Sequence, residues 1–306
     1  MFAALLALGA LAGGFGWLNR AAWATGMLVL APFPDGGTET PPAGVHETLE
    51  IARPGARIRS WLFEPDPDAA RVRGTLLLLH GIRDRKLNLV GRARDHAARG
   101  HRVIAVDSRG HGESSGKYLT YGVEEARDLR ALVDELERRK QLVRPLAVVG
   151  SSYGAATALQ LAALDARVER VVAMASFASL REVVPAYLEW ILGPLGRAIP
   201  RSLVDELVDG ATARAGFDPD AACPRCVAPR IRAAVLLVHS RDDERIPWQH
   251  SVAIDRALRA RHELMLVDGA GHVHVGEAPG VAAATERWLD APLDPAGPTG
   301  QDTPQR

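Results

Sequence analysis

Short apolar runs alternate with amphipathic stretches along most of the chain. Thr75–Leu79, Val103–Val106, Leu146–Val149, Val171–Ala175, Ala234–Val238 and Leu264–Val267 read as strands buried on both faces. His46–Ile51 and Arg57–Phe63 alternate polar with apolar residues, the pattern of half-buried strands. Gly122–Lys140, Tyr153–Leu164, Trp248–Arg261 and Val281–Leu289 read as helices. Strands alternating with helices predict βαβ units and a mostly parallel central sheet flanked by helices, one α/β domain over residues 45–290. The interval Ser176–Arg232 is too long for a plain crossover. Within it, Leu180, Val183, Val184, Tyr187, Leu188, Ile191 and Leu192 form a helical stripe that Gly193-Pro194 ends. That helix either packs on the sheet or belongs to a small helical lid insertion, placed at 176–217.

The two ends read differently from the middle. Phe2–Leu18 carries no charge and approaches the ~30 Å hydrocarbon thickness of a bilayer as a helix. No Lys or Arg precedes it, which argues for a retained membrane anchor within a hydrophobic segment 1–34 rather than a signal peptide. Ala22-Trp23-Ala24 resembles a cleavage site, so a secreted or periplasmic protein is the alternative, and a soluble hydrophobic arm is a third. The side of the membrane is unread, because Arg20 is the single basic residue nearby. Residues 35–44 read as a linker and 291–306 as a disordered tail.

Composition narrows the function. Lys and Arg number 37 against 37 Asp and Glu, so there is no basic excess of the kind nucleic acid requires. Two cysteines make neither a disulfide framework nor a four-Cys zinc site. Cys223-Pro224-Arg225-Cys226 lacks a partner pair and reads as incidental thiols or a local disulfide. No cofactor and no metal is expected, and the partner is a small-molecule acyl ester or amide.

In a parallel sheet the chemistry collects at the carboxyl ends of the strands. Gly150-Ser151-Ser152-Tyr153-Gly154 fits G-x-S-x-G directly after a strand and before a helix, as a nucleophile elbow requires. Gly112-Glu113-Ser114-Ser115-Gly116 also fits, but no helix signal follows it. Ser152 is therefore the candidate nucleophile, with Gly150 and Gly154 as elbow glycines that leave room for a tight turn. Its competing reading is a helix N-cap. A serine needs a base held by an acid. After the strand Ala234–Val238 come Asp242 and Asp243, and after Leu264–Val267 come His272 and His274.

Together these stretches resemble the α/β-hydrolase superfamily over about residues 45–290. His80-Gly81 is similar to its oxyanion loop, and Asp107-Ser108-Arg109-Gly110-His111-Gly112-Glu113-Ser114 to its D-x-R-G-H-G-x-S loop. Asp243-Glu244-Arg245-Ile246-Pro247 is similar to its acid motif, and Gly269-Ala270-Gly271-His272 to its histidine loop. Ser240 departs from the usual glycine. Within the superfamily the chain looks closest to anchored, small-lid hydrolases of the serine aminopeptidase and dienelactone-hydrolase-like groups. The resemblance implies Asp243 over Asp242 and His272 over His274. It also implies an oxyanion hole from the backbone N–H groups of Tyr153 and Ile82, with Arg83 as the fallback. Asp84 reads as the N-cap of a solvated helix start across Arg83–Lys86, with an anionic-substrate role for that run as the rival. Arg109 and His111 read as loop-shaping. The expected activity is carboxylesterase-type serine hydrolysis. A peptidase or amidase is the alternative, and a tethered binding protein that has lost catalysis is the alternative of another class.

Overall fold

The computed structural model describes residues 24–69 and 71–292. Eight strands form one sheet: β1 (Glu47–Arg53), β2 (Ala56–Phe63), β3 (Gly74–Leu79), β4 (His101–Val106), β5 (Leu146–Ser151), β6 (Val168–Met174), β7 (Ala234–Ser240) and β8 (His262–Val267). Their spatial order is β1-β2-β4-β3-β5-β6-β7-β8. β1 and β2 pair antiparallel, as do β2 and β4, and every later pair is parallel. The chain leaves β3 for β4 on one side and returns to β5 on the other. A crevice therefore opens at the carboxyl ends of β3 and β5, where such sheets bind ligands.

Helices cover both faces: α1 (Val90–Ala98), α2 (Val123–Arg138), α3 (Tyr153–Leu164), α4 (Leu180–Leu192), α5 (Arg201–Ala215), α6 (Gln249–Asp255) and α7 (Val281–Asp290). Leu77, Leu79, Val148 and Val171 pack beneath α2 and α3. Leu76, Leu78, Val149 and Val172 point the other way, toward α1 and α7. The continuous apolar runs of β3 to β7 were legible for this reason: both faces of these central strands are buried, whereas at the sheet edge Leu264–Leu266 of β8, expected to be buried on both faces, are only half-buried. The helix expected over Trp248–Arg261 stops at Asp255, because the chain must turn back through Ala257–Leu258 to enter β8 at His262. Helices α1 and α5 fall outside the stretches that the apolar pattern predicts as helical.

The insertion between β6 and β7 is helical. Ser179 caps α4 through its side chain on the Glu182 N–H. Pro185 lies inside α4 and cannot donate to the Arg181 carbonyl. The Arg201 guanidinium from α5 donates to that carbonyl instead, at 2.9 Å, and so joins the two lid helices. Leu180 and Val183 are buried, whereas Ile191 lies 46% exposed, so only the start of the stripe is core.

The segment expected as a linker and the residues just ahead of it are bonded to the domain. Phe33 N–H donates to the Gly110 carbonyl, Gly116 N–H to that of Pro34, and Gly37 N–H to that of Gly112. Ahead of it, Ala24 and Val29 are buried against the lid helices. The charge-free run Phe2–Leu18 and the tail beyond residue 292 lie outside the described residues. Among the described residues no helix is long and apolar enough to cross a membrane.

Candidate active site

β5 runs into α3 through a turn that forces Ser152 to φ 53° and ψ −114°, a costly region for a residue with a Cβ. The turn closes only around glycines. A Cβ on Gly150 would lie 2.3 Å from the Gly154 carbonyl oxygen, and one on Gly154 2.6 Å from that of His80. Ser152 occupies the N-cap position of α3 but makes no capping bond. Its hydroxyl instead lies 3.0 Å from Nε2 of His272. The other ring nitrogen of His272, Nδ1, lies 2.7 Å from Oδ2 of Asp243. The structure thus brings together three residues from the ends of β5, β7 and β8, far apart in sequence.

Asp243 is satisfied on both oxygens. Oδ1 accepts from the backbone N–H groups of Arg245 (3.0 Å) and Ile246 (2.9 Å). Oδ2 accepts from His272 and from Nε2 of the buried His239 at 3.1 Å. Burial alone would raise its pKa, but the hydrogen bonds from His239 and His272 outweigh that and hold the carboxyl well below the usual carboxylate range. His239 Nε2 also lies 2.8 Å from the Ile246 carbonyl, while Nδ1 faces the Ser251 hydroxyl at 2.7 Å. This network assigns the proton to Nε2. His239 is thus a positioning residue that the sequence reading did not assign; its signal was a histidine at a strand end, four residues before the acid.

The neighbouring candidates fall elsewhere. Asp242 is exposed and accepts the Gly269 N–H, tying the β7 loop to the β8 loop. His274 is exposed and meets Glu277. Ser114 is buried in its loop, donating to the Asp107 carbonyl at 2.7 Å and accepting from Arg59 N–H at 2.8 Å.

Two neutral imidazoles hold the loop after β3. His80 Nε2 accepts from Ser108 N–H, and its Nδ1 faces the Gly81 carbonyl. His111 Nε2 accepts from Arg83 N–H at 3.1 Å; burial lowers the pKa of His111 to about 4, so it is an acceptor at neutral pH. The Arg83 amide is therefore committed. The Ile82 and Tyr153 amides have no acceptor among the described residues. The Tyr153 ring is fixed by its hydroxyl, which donates to Glu125 at 2.7 Å. Arg109 shapes the same region by pairing with Asp128 through two bonds of 2.8 Å.

The basic run Arg83–Lys86 does lead into a short helical turn, Lys86–Leu89, with Arg83 and Arg85 exposed, but Asp84 is not its N-cap and Lys86 is not solvated. Arg85 holds the N-cap position without a side-chain bond, while Asp84 accepts from the Arg85 N–H. Lys86 is fully buried over the Trp61 ring, with its ammonium 2.5 Å from Asp107, 2.8 Å from Glu113 and 3.2 Å from Glu39. Packing against three carboxylates favours that burial, and the residue clamps the strap 31–45 to the domain. Lys86→Met leaves the buried Asp107 without a cation, and Glu39 and Glu113 with only the more exposed Arg85 and Arg59, and should cost about 3–5 kcal/mol in urea unfolding. The exposed Lys117→Met should change stability by under about 0.5 kcal/mol.

Ser152 opens into a cavity of about 430 Å³, within the range of small-molecule sites. Leu180, Val184, Leu188 and Ile191 of α4, Val204 and Val208 of α5, and Met27 and Leu28 of the N-terminal segment supply its apolar walls. The stripe on α4 thus covers the site as a lid. Cys223 and Cys226 form a disulfide away from it.

Sheet order, elbow and lid define an α/β-hydrolase-fold hydrolase. The family model described as serine aminopeptidase, S33, matches residues 70–223, half of the chain. The chain belongs to that family. It is similar to the uncharacterized protein YqkD of Bacillus subtilis (strain 168), with 26% identity over 207 residues, 65% of this chain and 64% of that protein. The chain therefore matches just under two thirds of the length of that curated relative. Among solved structures it is similar to an esterase from Pyrococcus furiosus, at 19% identity and a TM-score of 0.62 over 85% of this chain and 97% of that one. It is similar to acetyl xylan esterase 1 of Thermoanaerobacterium sp., at 18% identity and 0.59 over 89% and 92%. It is also similar to a puromycin-hydrolyzing peptidase of Mycobacterium tuberculosis, at 18% identity and 0.62 over 84% and 41%. At these identities the likeness to solved structures is one of fold.

Proposed function

We propose that the protein is a carboxylesterase-type serine hydrolase. The observation that carries the reading is the continuous line of hydrogen bonds from Ser152 through His272 to Asp243. Ser152 attacks the ester carbonyl as His272 Nε2 takes its proton. Asp243 holds the imidazolium that forms, and the Tyr153 and Ile82 amides receive the oxyanion. His272 returns the proton to the departing alcohol. Water, deprotonated in turn by His272, releases the acyl group as a carboxylic acid. A phosphonate probe should label Ser152, and a panel of nitrophenyl esters and aminoacyl nitroanilides tests ester against amide cleavage.

An aminopeptidase must also hold the substrate's free ammonium, for which a carboxylate is the natural partner. The cavity wall contains none among the described residues. That favours the ester reading. The apolar wall suits an acyl chain, so kcat/KM should rise from acetate to octanoate esters. Leu188→Asp or Ile191→Asp should flatten that rise; a flat wild-type profile would remove the acyl-pocket role of the lid.

The anchor over Phe2–Leu18 belongs to the same proposal. Full-length protein should stay with membranes through high-salt and carbonate washes, and removal of residues 1–22 should release it. A cut near Asp35 would go too far, because Ala24, Met27 and Leu28 line the cavity.

A further inference from the structure

We infer that the cavity takes acyl esters bearing one negatively charged group, a carboxylate or a phosphate, which Arg245 and Arg83 hold beside the Ser152 hydroxyl while the apolar chain lies along the lid. The inference rests on the reading of Ser152 as nucleophile. Among the described residues lining the cavity, Arg83 and Arg245 are the charged ones. Several arginines elsewhere are paired, Arg109 with Asp128, Arg167 with Asp165, Arg181 with Asp209 and Asp220, and Arg201 with Asp205, whereas others such as Arg232, Arg256 and Arg259 lie exposed on the surface away from the cavity. Neither cavity guanidinium meets a carboxylate or another hydrogen-bond acceptor among the described residues; Arg83 is exposed at the cavity, whereas Nε of Arg245 is buried without a partner. A desolvated donor left unmade is costly, and a bound anion would satisfy it.

Placement strengthens the case. Arg245 stands two residues after Asp243, and its backbone N–H is held by that carboxylate. Arg83 follows Ile82, with φ 60° and its N–H held by His111. The groups that build the site thus fix both backbones. The Trp190 ring lies 4.5 Å from the Arg245 guanidinium carbon and supports one face of its plane. A guanidinium so supported keeps its edge free for the two parallel bonds that a carboxylate or phosphate accepts. Of the run Arg83–Lys86, Arg83 alone serves this purpose: Arg85 pairs with Glu39, and Lys86 is buried in its own cluster.

The test uses full-length protein and three esters that share one acyl chain: 1-octanoylglycerol, 3-octanoylglycerate and 1-octanoylglycerol 3-phosphate, followed by octanoate release. At least one anionic ester should exceed the neutral one in kcat/KM by about tenfold or more, and the better of the two identifies the anion. Arg245→Gln and Arg83→Gln should each lower that anionic-to-neutral ratio severalfold, and the double variant should bring it near one. Rising salt should lower the ratio in the wild type. A wild-type ratio of one or less, or a ratio unmoved by the substitutions, overturns the inference. So does failure to cleave any of the three while nitrophenyl esters turn over. Ser152-dependent cleavage without charge preference removes this inference alone. Cleavage that survives Ser152→Ala removes the nucleophile reading beneath it.

Discussion

Ser152→Ala should lower kcat for nitrophenyl butyrate on the order of 10⁶-fold, the scale of losing a serine nucleophile in a Ser-His-Asp site. Ser114→Ala should leave most of the activity. The two serines share a G-x-S-x-G frame but sit in different environments. Ser152 is strained at φ 53° with its hydroxyl against an imidazole nitrogen. Ser114 spends its hydroxyl on the Asp107 carbonyl and the Arg59 amide, with no base at hand. The strain at 152 is a backbone property that alanine shares, so the substitution should leave Tm nearly unchanged. Loss of activity therefore cannot be assigned to unfolding. Equal losses at both positions, or phosphonate labelling of Ser114, would refute the assignment.

Strand positions were legible because the parallel sheet is buried on both faces, which makes β3 and β5 through β7 near-continuous apolar runs. The elbow was legible because steric demand leaves a residue-type trace: only glycine fits at 150 and 154. Strand order is not written in any single segment, and the position of β3 between β4 and β5 emerges from pairing alone. Lys86 misled because charge ordinarily marks solvent. Its burial depends on Asp107, Glu113 and Glu39, which converge on it from distant stretches. Helix α5 escaped because its sequence mixes acidic, basic and small residues, and only Val204, Val208, Ala211 and Thr212 of it are buried. Arg245 and His239 flank the acid in sequence, yet the cavity and hydrogen-bond network that give them meaning are tertiary.

Asp243→Asn should cost about 10³–10⁴ in kcat, whereas Asp242→Asn should cost less than about tenfold. Asparagine keeps the shape of the side chain, and its carbonyl oxygen can still accept from the Arg245 and Ile246 amides. The position of Oδ2 then carries an NH₂ that faces two ring nitrogens, those of His272 and His239, which both donate in the native site. His272 can relieve the clash by moving its proton to Nε2. That tautomer points a hydrogen at the Ser152 hydroxyl and can no longer accept the hydroxyl proton. Asp242 meets neither histidine, so its replacement perturbs only the bond to the Gly269 N–H. A stability signature accompanies the kinetic one. The folded carboxyl titrates below its ordinary value of about 3.9. The unfolded state therefore binds the proton first, and the stabilisation is complete above about pH 5. It is lost as pH falls through the unfolded value toward the folded one. Wild type should lose stability faster than Asp243→Asn as urea unfolding is followed from pH 5 down to pH 3. Parallel curves for the two proteins, or a larger kinetic loss at Asp242, would remove Asp243 from the acid position.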